Sequence, residues 1–195
     1  MFTLVGGINW RNMQDIDDSK RQLEIEELKL KFQPMSNAEI VNKDGGDVSL
    51  EASNLRCINL LYEQKIFEWL TKNFPNYIIQ KNRKLGHAEF DIIATSRDLF
   101  KKDYIVEIRY RNCFMEISEI INLREIVKEQ NITYSEETNH SPIGVLILII
   151  PDQYYENTVK IVNRLEREKP LKRVYVRVLK ETDLEKETIE HSMLF

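Results

Sequence analysis

The stretch Gly86-His87-Ala88-Glu89-Phe90-Asp91-Ile92-Ile93-Ala94, followed by Val106-Glu107-Ile108-Arg109-Tyr110-Arg111, decides the reading of this chain. Both segments set acidic residues inside apolar strand patterns, where burial makes a charge costly without a partner or a metal. Side chains alternate along a strand, so Glu89 and Asp91 share one face, and Glu107 and Arg109 share one face. If the two strands are neighbours, Asp91 and Glu107 converge on one point. Two carboxylates with a backbone carbonyl suit a hard cation such as magnesium or manganese, which prefers oxygen ligands and keeps some of its waters. Such an ion polarises a phosphodiester and makes a bound water a better nucleophile. The same residues also fit a structural arrangement, a buried pair with Arg109 or Arg111.

Working outward, Tyr77 to Gln80, Glu89 to Thr95 and Tyr104 to Tyr110 read as three strands. Their connections are too short for helical crossovers, so they predict an antiparallel meander. Ahead of them, Asn54 is a candidate cap for a helix running to about Asn73, with Leu55, Ile58, Tyr62, Ile66, Trp69 and Leu70 as its buried face. Glu63 falls on the otherwise apolar row Leu60, Glu63, Phe67, Leu70, which makes it a candidate third acid. Downstream, Ile117 to Gln130 and Gln153 to Glu168 predict helices. Pro142 to Ile150 is almost wholly apolar, as expected of a central strand covered on both faces. Arg173 to Lys180 alternates and predicts the last strand. The fold class is α/β: a mixed sheet of about five strands with helices on both faces.

Residues 1–53 differ from the rest and are expected to form an N-terminal extension or accessory element with a linker, ahead of a domain at 54–195. Met1 to Trp10 is a candidate short strand, and Asp17 to Phe32 a charged helix. Pro34 to Ser53, with Asp44-Gly45-Gly46-Asp47, gives a turn or linker signal. The charged helix suits a solvated element or a docking arm for a homodimer or a larger protein complex.

The 195 residues are 42% hydrophobic and 31% charged, an ordinary globular balance. The net charge of -4 does not suggest a general polyanion binder, and leaves room for a local basic patch. Lys81, Arg83, Lys84 and Arg111 are the candidate phosphate contacts. No apolar run reaches the roughly 18 to 20 residues needed to cross a bilayer, so no membrane partner is expected. Cys57 and Cys113 lack metal-ligand spacing, and the N-terminus lacks a secretory pattern; a cytoplasmic protein with free thiols is the expectation.

Residues 54 to about 112 resemble the restriction-endonuclease-like superfamily, the PD-(D/E)xK nucleases. The likeness is nearest to the small bacterial endonuclease-like and archaeal Holliday-junction-resolvase branch. It rests on Glu63, on Tyr77-Ile78-Ile79, on Glu89-Phe90-Asp91-Ile92-Ile93-Ala94 and on Val106-Glu107-Ile108-Arg109-Tyr110-Arg111. The resemblance implies a metal-dependent nuclease, or a nuclease-derived subunit, hydrolysing phosphodiester bonds of DNA in defence, repair or recombination. It implies Mg2+ or Mn2+ held by Asp91 and Glu107 with support from Glu63, and a catalytic cation at position 109. Lysine is usual there. Arg109 stays protonated and cannot act as a base, though it can hold phosphate charge. Lys81, Lys84 and Lys128 are other candidate sources of a lysine. The alternative is a catalytically inactive module of the same fold that binds DNA or protein and serves complex assembly.

Overall fold

Segments of alternating or unbroken apolar character build one sheet, and its order follows the chain. The computed structural model describes residues 4–36, 38–39 and 50–185. Six strands lie side by side in the order β1 (Gln33–Pro34), β2 (Tyr77–Leu85), β3 (Ala88–Ser96), β4 (Tyr104–Tyr110), β5 (Ile143–Ile150) and β6 (Val174–Lys180). Pairing is antiparallel from β1 through β4 and parallel from β4 through β6. The five helices named here are α1 (Leu4–Lys31), α2 (Leu50–Asn73), α3 (Ile117–Thr138), α4 (Asp152–Glu168) and α5 (Glu181–Glu185).

This is a mixed α/β fold, with six strands where the sequence suggested about five. The extra one is β1, whose Gln33 and Pro34 pair with Lys84 and Arg83. Two residues are too few to show a period, and proline is tolerated at a sheet edge because no inner ladder needs its missing N–H.

The two faces of β5 explain why its sequence is continuously apolar. Val145, Ile147 and Ile149 pack with Tyr62, Ile66 and Leu70 of α2. Leu146, Leu148 and Ile150 pack with Ile120, Leu123 and Val127 of α3 and with Val162 and Leu165 of α4. Gly144 permits the close approach of α3. A Cβ there would stand 2.8 Å from Asn131 Nδ2 and inside contact distance of Val127 Cγ1. The β2–β3 connection is the two-residue turn Gly86-His87, with Gly86 at φ 58°, a conformation glycine adopts without steric cost.

Several boundaries move. The candidate strand at Met1 to Trp10 is helical from Leu4 onward, and residues 1–3 lie outside the described residues. Asn54 does not cap α2, which starts at Leu50; residues 50–53 therefore belong to this helix, while most of the candidate linker, 40–49, lies outside the described residues. The second expected helix continues past Gln130 to Thr138 and stops at Asn139, whose φ of 58° is a left-handed cap.

The charged α1 is anchored rather than free. Ile25, Leu28 and Phe32 are buried along one side. Leu28 and Phe32 join Leu85, Phe90, Ile93, Ile105 and Tyr134 in a third core cluster. Between them and the helix start, Arg21 is 1% exposed. It donates to Asp103 Oδ1 at 2.8 Å and to the Ser96 carbonyl at 2.9 Å, and Tyr134 donates to Asp103 Oδ2 at 2.9 Å. Among the described residues no helix is long and apolar enough to cross a membrane.

Candidate functional site

The strands β3 and β4 pair at Ala94–Tyr104, Ile93–Ile105 and Ile92–Val106. Just past that point, side chains serve backbone groups. Asp91 Oδ2 accepts from the Ile108 N–H at 2.8 Å. Asn59 Oδ1, on α2, accepts from the Tyr110 N–H at 2.8 Å. Gln130 Nε2, on α3, donates to the Glu89 carbonyl at 2.7 Å. Buried backbone polar groups require partners, so these three side chains hold open a fork between two strands.

Alternation along β4 sends Val106, Ile108 and Tyr110 towards α2, and Glu107 and Arg109 towards α3. Asp91 is 1% exposed, Glu107 is fully buried and Arg109 is 6% exposed. Arg109 Nη1 lies 3.3 Å from Asp91 Oδ2 and Nη2 pairs with Glu107 Oε1. Nη1 also donates to the Ile108 carbonyl at 2.8 Å. Gln130 Nε2 donates to Glu107 Oε2 at 2.8 Å. The two acids thus meet on one cation, and the chain itself supplies that cation.

Glu63 is buried on α2 and accepts from Asn59 Nδ2 at 3.3 Å. Through Asn59 it is linked to the Tyr110 N–H. Glu89 is paired with Lys84 at 3.1 Å. Its side chain lines a cleft of about 530 Å³ together with Glu107, Arg109, Glu125, Glu129 and Gln130. His87 also lines this cleft, with its Nε2 3.2 Å from Thr133 Oγ1.

The candidate phosphate contacts are dispersed. Lys81 bonds Gln64 and lies over the Phe67 ring of α2. Lys84 lies 2.5 Å from Glu39 and pairs with Glu89 as well. The hydrogen bond from Lys84, helped by the Ser36 N–H, holds the exposed Glu39 carboxyl down at about 2. The reciprocal bond to Glu39, then Glu89, raises Lys84 above its ordinary value. Arg111 is paired with Glu119 at 2.5 Å. Arg83 pairs across the hairpin with Phe90 and with Pro34. Lys128 bonds Glu125 on the exposed side of α3. Each candidate lysine therefore has another carboxylate or amide for a partner.

A divalent ion fits this arrangement poorly. The guanidinium of Arg109 stands where an ion bridging Asp91 and Glu107 would stand. Among the described residues, no group of three or more His, Cys, Asp or Glu side chains is disposed to hold a metal.

Asn59 and Gln130 are the site residues that the strand motif alone does not reveal. Both carry the signal that singled out Glu63, a polar residue on a buried helical row. Gln130 follows Leu123 and Val127 and precedes Tyr134 on the inner side of α3, and Asn59 lies one turn before Glu63.

No family model and no curated protein matches the chain. Two solved structures are distantly similar to it. Protein VC1899 from Vibrio cholerae is 11% identical, with a TM-score of 0.38 over 85% of this chain and 47% of that one. Can2 from Sulfobacillus thermosulfidooxidans, solved in complex with cyclic tetra-adenylate, is 10% identical, with a TM-score of 0.37 over 86% of this chain and 52% of that one. The chain spans about half the length of either.

Proposed function

We propose that this chain is a nuclease-derived module of the restriction-endonuclease-like type whose acidic pair is neutralised from within, and that it binds and assembles rather than cleaves. One observation carries the reading: a single buried guanidinium, that of Arg109, contacts both Asp91 and Glu107. Arginine remains protonated under ordinary conditions, so it neither leaves as a neutral group nor serves as a base. A buried acid pair that has lost its partner is strongly disfavoured. The closed arrangement is therefore its own stable end state. The cleft beside it is walled by Glu89, Glu125 and Glu129. Lys84 and Lys128 pair with Glu89 and Glu125, yet acids outnumber bases among the lining residues, which disfavours a phosphodiester backbone, since that binds through neutralised phosphates. A protein partner suits this face better than DNA.

A second reading is metal-dependent hydrolysis of DNA phosphodiester bonds, in defence, repair or recombination, with magnesium or manganese. It is favoured by the convergence of Asp91 and Glu107 on one point at a cleft wall. It requires Arg109 to leave the pair.

One experiment separates the two. Plasmid and single-stranded DNA are incubated with the protein and magnesium or manganese, with Asp91→Ala as control and Arg109→Lys as probe. The module reading expects no Asp91-dependent cutting by the natural chain. Cutting that disappears in Asp91→Ala establishes the hydrolase instead. Activity gained only in Arg109→Lys identifies the arginine as the group that silences the site.

A further inference from the structure

Helix α1 carries a second, outward-facing pattern. Ile16, Leu23 and Leu30 are 64%, 67% and 86% exposed. They recur every seven residues, which is just under two helical turns, so they form one row along the helix. The buried positions Arg21, Ile25, Leu28 and Phe32 lie on the opposite side, against the sheet. The row is thus not a fringe of the core. Solvent-facing helix positions are ordinarily polar, and a sustained apolar row there marks a contact surface.

We propose that this row is the contact between two copies of the chain, paired as antiparallel α1 helices about a twofold axis at Leu23. The charges choose the occupant. Antiparallel pairing about Leu23 sets Ile16 against Leu30 of the second copy and Leu23 against its own copy. Lys20 and Glu27 are both exposed and lie on the same flank of the row. In this register Lys20 of each copy faces Glu27 of the other, so two opposite-charge contacts form by symmetry. A parallel pair puts this flank of the two copies on opposite sides of the seam, so neither Lys20–Glu27 contact forms. Self-complementarity of this kind is what a twofold interface demands. Flanking charges of this type set helix orientation in coiled coils.

Sedimentation equilibrium of the full chain over a wide concentration range tests the assignment. The natural chain is expected to show a reversible monomer–dimer equilibrium. Leu23→Glu places two like charges on the axis and is expected to give monomer throughout, with an unchanged circular dichroism spectrum because the site is exposed. Lys20→Glu is expected to weaken the dimer roughly tenfold or more. The charge swap Lys20→Glu with Glu27→Lys is expected to restore it. A natural chain that stays monomeric, a dimer indifferent to Leu23→Glu, or a swap that fails to rescue Lys20→Glu would each overturn the proposal.

Discussion

Two of the arginines buried among the described residues, Arg21 and Arg109, have different surroundings. Arg21 pins α1 to the sheet. Its nearest carboxylate is Asp103, whose two oxygens also accept from the Ser96 N–H and the Tyr134 hydroxyl, and Glu24 of the same helix lies 3.4 Å away. Arg109 joins two carboxylates and lines an open cleft. The first bonds its closest carboxylate in an enclosed pair, with Glu24 more distant and partly exposed. The second sets two acids against one base beside a space a ligand can enter. Buried ion pairs are seldom retained for stability alone, because well-packed apolar groups often do as well. The enclosed pair positions an element; under the proposed function the cleft-side one is the neutralised acidic pair.

The largest effect expected on this comparison comes from Asp103→Ala. It removes the buried, closest carboxylate of Arg21, at a cost of up to about 3–5 kcal/mol. Urea unfolding measures the loss, and hydrogen exchange should show α1 opening before the rest of the sheet. Were α1 protection unchanged, the anchoring role would be lost from the account.

Gly144→Ala tests both regions at once, since α3 supplies Gln130 to one and Tyr134 to the other. The added methyl forces α3 away from β5, with an expected cost of about 1–3 kcal/mol. Thermal unfolding checks it. Asp91→Asn comes next in size. Its amide oxygen still accepts from Ile108 while its attraction for Arg109 falls, so a loss of about 1 kcal/mol is expected. A much larger loss would mark the cleft-side cluster as a structural pin like that of Arg21.

The smallest effect is one of pH. Burial, with the Asp103 charge beside it, raises the Tyr134 hydroxyl far above the usual phenol range. Burial also lifts Tyr77 to about 12. Both hydroxyls keep their protons more firmly in the folded chain than in the unfolded one, where phenols titrate near 10. Their contribution is fully present below pH 10 and is lost as pH rises through the folded values. The urea midpoint should hold steady up to about pH 10 and then decline, and Tyr134→Phe should soften that decline.

Much of the sheet was legible in the sequence because period-two segments and one unbroken apolar run have few other uses. Tyr104 to Tyr110 was read at its observed bounds for that reason. The strand β1 was not, because its place is set by α1 delivering it to an edge. Arg109 was visible as a departure from the lysine pattern, and a pair with the acids was one of the readings open. The sequence left open whether Arg109 or Arg111 would meet the two acids, since that depends on the strands parting after Ile92. Asn59 and Gln130 stand on buried helical rows as Glu63 does, but what they bond was hidden, because each serves a backbone group on a distant strand, which no local spacing encodes.

The most direct measurement is a calorimetric titration of manganese into the natural chain beside Asp91→Ala and Arg109→Lys. Internal neutralisation predicts no saturable heat for the natural chain or Asp91→Ala, with binding appearing at most in Arg109→Lys. Saturable manganese binding by the natural chain that vanishes in Asp91→Ala would contradict it.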